Sequence, residues 1–353
     1  MGFISTRRIA QQTESEFQAF QAVASQVVDV IATAGVVLDQ YNSVVRASPG
    51  AIQFGLVQNR RLIHASLVKL ADQARSASGA VQADLVLETG LRREQVWVDA
   101  RAAKFGENYV MLLVEDRTES KKLEDTRRDF VANVSHELKT PIGAIGLLAE
   151  AIMSSSDDPE VVQKFATSVQ KEANRLANLV QELIQLSKVQ GAKLGENTTA
   201  VDLAAVISEA VERNQMRAEQ RNVKLASSSQ PGVMVRGDHE MLVIAVRNLI
   251  ENAIVYSSEG SQVGVGLKES NGVAEIAVTD SGIGIPEAEQ DRIFERFYRV
   301  DPSRSRDTGG TGLGLSIVKH TAANHGGEVR LFSKVGVGST FTFRIPVINQ
   351  EDQ

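Results

Sequence analysis

Apolar residues recur at every third or fourth position through two long stretches in the middle of the chain, which predicts two adjacent amphipathic helices. The first predicted helix runs from Asp116 to about Met153, and the second has Pro159 in its first turn. The periodic apolar positions are Phe130, Val134, Leu138, Ile142, Ile145, Leu148 and Ile152 in the first helix, and Val162, Phe165, Val169, Ala173, Leu176, Val180, Leu183 and Leu186 in the second. Together they predict an antiparallel hairpin over residues 116–190.

One hairpin cannot cover its own apolar stripe, so we expect two chains to pair through it as a four-helix bundle, which makes the protein a homodimer. The alternative is an apolar partner from the same chain. The best candidate for that partner is a helix within residues 1–34, where the apolar residues again follow helical spacing. We interpret this N-terminal helix as an ordinary amphipathic helix rather than a signalling helix.

From Gly35 onward the apolar pattern changes to the alternation that is typical of strands. Residues 36–38 and 44–45 form one predicted pair, and residues 95–100 and 109–114 form another with a hairpin turn between them. A helical stretch containing Ala51, Phe54 and Leu56 lies between the two pairs, and residues 35–115 therefore predict a small α+β domain. His64 and Trp97 are candidate ligand contacts, although packing or surface roles are favoured for both.

Residues 191–199 form a polar linker, and residues 200–348 predict a mixed sheet with helices on one side, followed by a tail at 349–353. The predicted elements are helix 203–221, strands 223–227 and 233–236, helix 239–255, strands 262–268 and 273–279, a long loop, helix 312–325, and strands 328–333 and 339–346.

The composition is that of a soluble globular protein, with 353 residues, 42% hydrophobic and 23% charged. A net charge of -6 argues against a general attraction to nucleic acid. The chain has no cysteine, which excludes disulfides and thiolate metal sites, and its five histidines show no metal-ligand spacing. No stretch reaches the ~18 uninterrupted apolar residues of a membrane span. We therefore expect a cytoplasmic protein without a membrane anchor in this sequence, while attachment to the inner face of the plasma membrane in the native system stays open.

His136 lies beside the apolar stripe of the first hairpin helix, where its ring is expected to face water. Thr140 shares that exposed face one turn later, and Glu137 is close enough to orient the ring or take its proton. Pro141 should kink the helix at this point. An exposed neutral imidazole beside a carboxylate can act as a nucleophile. The alternative is a solvated helical histidine without a chemical task, and residues 135–141 alone do not separate the two.

Four motifs in the last predicted domain together indicate a nucleotide site. Asn248 and Asn252 share one helix face, where amide oxygens can join Mg²⁺ and phosphate oxygens. The segment 280–285 places a carboxylate, which can accept from an exocyclic amine, beside glycines that let the backbone approach a flat base. An apolar pair frames charges at 294–297, and the glycine-rich segment 309–315 opens a helix whose backbone N–H groups can hold phosphate. Neither a Rossmann fingerprint nor a P-loop is present.

Residues 126–346 resemble the transmitter core of bacterial two-component sensor histidine kinases, with HisKA and HATPase_c domains. The motifs that carry this resemblance are 129–141, 248–252, 280–284, 294–297, 310–314 and the closing 336–339. Within that family, residues 128–136 and 314–320 are similar to the phosphate-responsive sensor kinases of actinobacteria. Residues 35–115 resemble a PAS sensor domain, by position and strand pattern rather than by a signature.

The resemblance implies a multidomain α+β fold with a PAS-like α/β sensor, a helical hairpin forming a dimeric four-helix bundle, and an α/β-sandwich ATP-binding domain of the GHKL type. It implies autophosphorylation of His136 with ATP and Mg²⁺, followed by transfer of the phosphoryl group to an aspartate of a response regulator. It further implies phosphatase activity toward that regulator, with phosphate limitation as a candidate signal.

By the same resemblance, Glu137 is the general base of autophosphorylation, and Thr140 and Glu137 position a water for removing phosphate from the regulator. Asn252 holds Mg²⁺ with support from Asn248, and Asp280 reads the adenine amine. The other residues implied at the ATP site are Tyr256, Gly282, Gly284, Arg304, Arg306, Gly310, Thr311, Gly312, Leu313 and Gly314.

Val255 departs from the family pattern, because it stands before Tyr256 where the family often has a phosphate-binding lysine or arginine. Arg299, Arg304 and Arg306 are the candidates to supply that charge instead.

Two other functions stay open on the sequence. Related ATPase folds occur in chaperones, topoisomerases and kinases that phosphorylate serine on anti-sigma partners, but those proteins lack an upstream helical His-Glu-X-X-Thr. A protein that mainly dephosphorylates its partner, or that responds to a ligand without kinase turnover, is the other alternative.

Overall fold

The structure is a computed structural model that describes residues 33–90, 94–155, 157–191, 198–301 and 310–348. The chain divides into two compact units, residues 1–129 and 130–353. The predicted N-terminal helix, most of the 191–199 linker and the tail at 349–353 lie outside the described residues. Within the described part of the chain, no helix combines the length and the apolar character needed to cross a membrane.

The first unit is built on a five-stranded antiparallel sheet with the strand order β2-β1-β7-β6-β5. Its elements are β1 (Ala34–Leu38), β2 (Val44–Ala47), α1 (Pro49–Gln53), the short strands β3 (Val57–Gln58) and β4 (Arg61–Leu62), α2 (Ala65–Ser76), β5 (Val81–Thr89), β6 (Glu94–Phe105) and β7 (Tyr109–Asp116). The two helices and the β3–β4 pair connect β2 to β5. Leu67 and Leu70 of α2 are buried in the core with β1, β6 and β7.

The strands predicted at 36–38, 44–45, 95–100 and 109–114 are confirmed, as is the turn between the last two, since Phe105 pairs with Tyr109. The helix around Ala51 is shorter than expected. It ends because Gly55 adopts a positive φ of 72°, and Leu56 lies beyond it. The sequence analysis did not predict α2 or β5.

The helical hairpin consists of α3 (Thr118–Ser154) and α4 (Pro159–Gly191), which confirms the two predicted helices. The boundary between the two units falls within α3. Asp158 begins α4, because its Oδ1 accepts hydrogen bonds from the backbone N–H groups of Glu160 and Val161, at 3.1 and 3.2 Å. Pro141 is buried, and α3 is helical on both sides of it.

The C-terminal part of the second unit is a mixed five-stranded sheet with the order β13-β14-β12-β11-β9, in which only β9 and β11 run parallel. Its elements are β8 (Thr199–Asp202), α5 (Leu203–Gln220), β9 (Lys224–Ser229), β10 (Met234–Gly237), α6 (His239–Tyr256), β11 (Gln262–Ser270), β12 (Val273–Asp280), α7 (Gly314–Asn324), β13 (Glu328–Lys334) and β14 (Gly338–Pro346). The predicted elements are confirmed, and β8, which was not predicted, pairs with β10 outside the main sheet.

The core of this part lies between the sheet and its helices. Inward residues such as Val265 of β11 and Ile276 of β12 alternate with more exposed ones, and they pack against the apolar side of α6. Asp238 caps α6 by accepting from the Met241 N–H at 3.0 Å, which fixes where this helix begins. The sheet and caps thus hold α6, the end of β12 and the start of α7 around one cavity.

Candidate active site

Three of the four nucleotide motifs of the sequence, those of α6, of the segment after β12 and of the glycine-rich segment before α7, meet in one cavity of the second unit. The fourth motif, residues 294–297, does not line this cavity, although Ile293 and Tyr298 on either side of it do. The cavity is lined by Asn248, Glu251, Asn252, Val255 and Tyr256 of α6, by Asp280 with Ile283, Gly284 and Ile285 after β12, by Ile293, Tyr298, Arg299, Val300 and Asp301, by Gly310, Thr311, Gly312, Gly314 and Leu315 around the start of α7, by Ser339 and Phe341 of β14, and by Glu182 of α4. The lining combines apolar side chains and glycines with a few charged side chains, which is the usual make-up of a small-molecule site.

Asp280 is the buried carboxylate at the end of β12. Its Oδ1 accepts hydrogen bonds from the backbone N–H groups of Gly282 and Ser339, at 2.8 and 3.2 Å. Oδ2 has no hydrogen bond among the described residues, so it is free to accept from a base amine. Burial raises the pKa of the Asp280 carboxyl, and the two backbone hydrogen bonds oppose that shift.

Glycines let the backbone approach closely beside Asp280. A Cβ at Gly282 would lie 2.8 Å from Asp280 Oδ1, and Gly284 adopts a positive φ of 69° against the backbone of Lys334. Any larger residue would displace this wall of the cavity, so the glycines predicted here have a steric reason.

Asn248 and Asn252 have different environments although they are one turn apart. Asn248 is buried, and its Nδ2 donates to the Ile244 carbonyl at 2.9 Å. A Cβ at Gly314 would lie 3.1 Å from Asn248 Oδ1, so this amide faces the first turn of α7. Asn252 is half-buried at the cavity, and its side chain has no hydrogen bond among the described residues.

Among the described residues, no cluster of three or more histidine, aspartate or glutamate side chains could hold a metal. Glu251, beside Asn252, forms an ion pair with Arg217. A Mg²⁺ at this site would therefore have the Asn252 amide oxygen as its protein ligand, and phosphate oxygens and waters would complete the shell. That donor set fits the ion, which usually keeps waters and binds through substrate phosphates.

The glycine-rich segment opens α7 at one edge of the cavity. Gly310, Gly312 and Gly314 line that edge, and Gly312 has a φ of 80° with a Cβ position 2.7 Å from the Phe297 carbonyl carbon. Leu313 is fully buried and does not line the cavity. Thr311 lines it, yet its hydroxyl donates to the Glu182 carboxylate of α4.

Arg299 lies at the same edge, with 8% of its side chain exposed. Val255 lines the cavity too, so Arg299 is placed where it could supply the positive charge that is missing at Val255. The other two candidate arginines, Arg304 and Arg306, lie outside the described residues. Tyr256 closes α6 and is 37% exposed beside Val255.

His136 is exposed on α3, as the sequence predicted. Thr140 is exposed one turn later and donates its hydroxyl to the His136 carbonyl at 3.2 Å. Glu137 is half-buried and contacts two arginines. Its Oε2 lies 3.0 Å from Nη2 of Arg299 and 3.6 Å from Nη2 of Arg175, which belongs to α4. No contact between Oε1 and another charged group is seen among the described residues.

The hairpin and the ATPase part of the second unit share an apolar cluster that the sequence analysis did not anticipate. Its buried members are Leu179, Leu186 and Val189 of α4, Ile244 of α6, Leu313 just before α7, and Ile317 of α7. Phe130 and Leu138 of α3 pack against it, and the Phe130 and Phe297 rings lie 6.0 Å apart. Part of the stripe expected to face a second chain is therefore covered within the chain. The one sequence signal for this contact was that the apolar residues of α4 cover more than one face of the helix.

Polar contacts surround this cluster. Arg247 of α6 donates to Gln185 of α4 at 3.3 Å, and the Asn324 amide donates to the Val189 carbonyl at 2.6 Å. Because these pairs join residues that are distant in sequence, no local sequence pattern predicts them.

Comparisons with known proteins agree with this site. Residues 237–349 match the family of histidine kinase-, DNA gyrase B- and HSP90-like ATPases, and residues 126–192 match the His Kinase A (phospho-acceptor) domain. The chain is 43% identical to the sensor-like histidine kinase SenX3 of Mycolicibacterium smegmatis, over 88% of this chain and 82% of that protein. It is 35% identical to the phosphate regulon sensor protein PhoR of Pseudomonas aeruginosa, over 67% of this chain and 54% of that protein.

A solved structure shares the fold. The histidine kinase ThkA, crystallised in complex with the response regulator protein TrrA, superposes with a TM-score of 0.51 at 21% identity, covering 91% of this chain and 98% of that one.

Fold and site thus define an ATP-binding phosphotransfer enzyme with a GHKL-type ATPase domain beside a phospho-acceptor hairpin. The chain belongs to the sensor histidine kinases of two-component systems, and it is a protein-histidine kinase.

Proposed function

We propose that His136 receives the γ-phosphoryl group of ATP and passes it to an aspartate of a response regulator. The observation that carries this proposal is the exposed imidazole of His136 on a hairpin that shares one compact unit with the nucleotide cavity. Exposure matters because the same ring must meet two partners in turn, the triphosphate and then the regulator.

In the first step, a ring nitrogen of His136 attacks the γ-phosphorus and the bond from that phosphorus to the β,γ-bridging oxygen breaks. ADP leaves with the bonding electron pair, and the proton on the other ring nitrogen passes to Glu137. In the second step, an aspartate oxygen of the regulator attacks the phosphorus, the imidazole recovers the electron pair of the P–N bond, and the ring takes its proton back from Glu137. Such transfers need positioning and charge neutralisation more than covalent chemistry from the protein.

The cavity residues divide into base and phosphate contacts. Asp280 would accept from the adenine amine through its free Oδ2, and Gly282 and Gly284 would let the base lie against the backbone. Asn252 would hold Mg²⁺, whose charge neutralises the phosphates, and the α7 N-terminus at Gly314 would add N–H donors. Asn248 would support this site indirectly, because it is buried against α7.

The reverse activity belongs to the same proposal. Thr140 is exposed, and Glu137 is half-buried about one turn away on the same helix. Together they can orient a water toward a phosphoaspartate of the regulator. Attack of that water on phosphorus would break the aspartyl P–O bond and release phosphate.

A homodimer through the hairpin is supported by apolar side chains that stay uncovered on one chain. Ile142 and Leu147 of α3 are 56% and 70% exposed, and Ile184 of α4 is 46% exposed. Apolar surface of this kind on adjacent helices marks an association face.

Phosphate limitation is the signal we propose, supported by the likeness to the phosphate regulon sensor PhoR. The five-stranded domain at residues 34–116 would be the PAS-like sensor. ATP and a response regulator are found in the cytoplasm, so we place the protein there, at the inner face of the membrane if its signal arises outside the cell.

The chemical stability of the phosphate tests the proposal. After incubation with Mg-ATP, the protein should carry phosphate that is lost in acid and kept in base, as a phosphoimidazole is. Acid-stable phosphate would instead favour a serine kinase of the same ATPase class. No phosphate at all, with intact dephosphorylation of a phosphorylated regulator, would favour the phosphatase alternative.

A further inference from the structure

Glu182 belongs to the hairpin and yet lines the nucleotide cavity. It lies on α4, three residues after Leu179 and four before Leu186 of the shared apolar cluster, so its position is fixed by that packing. Its carboxylate accepts a hydrogen bond from the hydroxyl of Thr311, the polar side chain of the glycine-rich segment. The Thr311 oxygen in turn accepts from the Leu313 N–H at 3.2 Å.

Three arginines lie near enough to this carboxylate to act on it electrostatically. Arg247, Arg299 and Arg217 all interact electrostatically with Glu182, in that order of strength. Burial raises the pKa of the Glu182 carboxyl, and the Thr311 hydrogen bond and the three arginines oppose the shift. A carboxylate that accepts a hydrogen bond from a hydroxyl and lies in the field of nearby guanidinium groups has neighbours that would also suit a bound phosphate.

A second hairpin carboxylate acts on the same edge of the cavity. Glu137 of α3 holds Arg299 at 3.0 Å, and Arg299 lines the cavity beside Gly310 and Gly312. Two described side chains of the cavity that could bind a triphosphate, the Thr311 hydroxyl and the Arg299 guanidinium, are therefore engaged by acids of the hairpin.

We propose that Glu182 is an internal competitor of the ATP triphosphate, so that the contact between hairpin and ATPase part seen here is an autoinhibited arrangement. A hydroxyl has one proton, so Thr311 cannot donate to Glu182 and to a phosphate oxygen at once. A buried negative charge at this edge also repels the polyphosphate.

The competition works in both directions. If the docked hairpin weakens ATP binding, then ATP must weaken docking by the same factor, because the two equilibria are linked. Nucleotide binding would thus release the hairpin, free Glu137 from Arg299 and let His136 move relative to the cavity. This inference rests on the proposed function, since it assumes that the cavity binds ATP.

The test compares matched variants of the full chain by titration with a fluorescent ATP analogue and Mg²⁺. Glu182→Gln keeps the shape and removes the charge, and Glu182→Ala removes both. Glu160→Gln is the control, because it takes the same charge from an exposed position at the other end of α4.

Both Glu182 variants should bind the analogue about fivefold or more tightly than the wild type, which is the range of typical coupling between sites. The Glu160→Gln control should stay within about twofold, as expected for an exposed charge. Equal or weaker binding by the Glu182 variants would overturn the inference, because Glu182 would then be neutral or a part of the ATP site.

Hydrogen exchange of the wild type gives a second measurement that depends on no variant. The analogue should speed exchange of the amides at 179–189, where α4 packs against α7, and unchanged or slower exchange there would overturn the inference. If the wild type bound no analogue, the proposed function would fail together with the inference. Binding that is equal in the wild type and the Glu182 variants would defeat the inference alone.

Discussion

The Arg299 guanidinium lies 3.0 Å from the carboxylate of Glu137, and this ion pair ties an arginine of the nucleotide cavity to the residue next to His136. Both Arg299 and Arg175 contact the same oxygen, Oε2, so Oε1 stays free of charged neighbours among the described residues. Arg175 belongs to the hairpin and can keep Oε2 when nucleotide binding releases Arg299, so Oε1 remains available as a proton acceptor, which is the role we propose for Glu137.

Replacing Glu137 by glutamine should therefore slow phosphorylation of His136 by about 100-fold, the contribution typical of a positioned general base. Affinity for Mg-ATP should not fall, because Arg299 is released rather than lost. Initial rates and equilibrium titration measure the two effects separately. Glu172→Gln is the matched control, since Glu172 pairs with Arg175 at 3.8 Å on α4. An equal loss of rate in both variants would assign the effect to the arginine network and contradict the base role.

Replacing Asn252 by alanine should weaken Mg-ATP binding about tenfold or more, because the metal loses its protein ligand. Calorimetry with and without EDTA measures this directly. In EDTA the wild type and the variant should bind ATP with similar affinity, since the missing contact is to the metal. An affinity for Mg-ATP that the substitution leaves unchanged would count against the metal role of Asn252.

Adenosine binding should depend on pH through Asp280. Burial raises the pKa of this carboxyl, and its ionised form is the one that accepts from the adenine amine. Affinity should thus be full above the raised pKa and fall as the pH drops through it, at a higher pH than for an ordinary aspartate. Adenosine is the probe because it has no phosphate to titrate. The Asp280→Asn variant should bind weakly with no such step, and a wild-type profile as flat as that of the variant would refute the assignment.

Placing a charge at Ile142 should dissociate the dimer. Ile142 is 56% exposed on one chain and belongs to the apolar stripe of α3, so Ile142→Glu would bury a carboxylate in the proposed interface. Light scattering should give twice the 38.2 kDa chain mass for the wild type and the single-chain mass for the variant. Gln163→Glu adds the same charge at an exposed polar position of α4 and should stay dimeric. A monomeric wild type would contradict the dimer proposal.

Periodic spacing and local motifs predicted most of the fold. The long helices were found because large apolar residues repeat over many turns, and the nucleotide motifs because each is a short segment at the end of a strand or the start of a helix. Helix α2 was missed because two of its four buried residues, Ala71 and Ala74, are too small to register as an apolar stripe. Strand β5 alternates Val81, Ala83 and Leu85 with the polar Gln82 and Asp84, a strand pattern that the sequence analysis did not use.

The contacts of the hairpin with the ATPase part could not be predicted. Glu137 and Arg299 are 162 residues apart, and Glu182 and Thr311 are 129 residues apart. Pairs at such separations depend on how α4 meets α7, which apolar periodicity within one helix does not determine. Most of the predicted ATP-site residues that the structure describes line the cavity, but the sequence analysis did not predict Glu182 there, and the engagement of Thr311 and Arg299 by hairpin acids depends on tertiary packing.

Mapping the phosphate on the intact protein tests the central claim most directly. The wild type is incubated with Mg-ATP, digested under alkaline conditions and analysed by mass spectrometry, with His136→Gln treated in parallel. We predict a single phosphorylated peptide whose modified residue is His136, and an unmodified variant that still binds the nucleotide. Phosphate on any other residue, or undiminished phosphate in His136→Gln, would contradict the account.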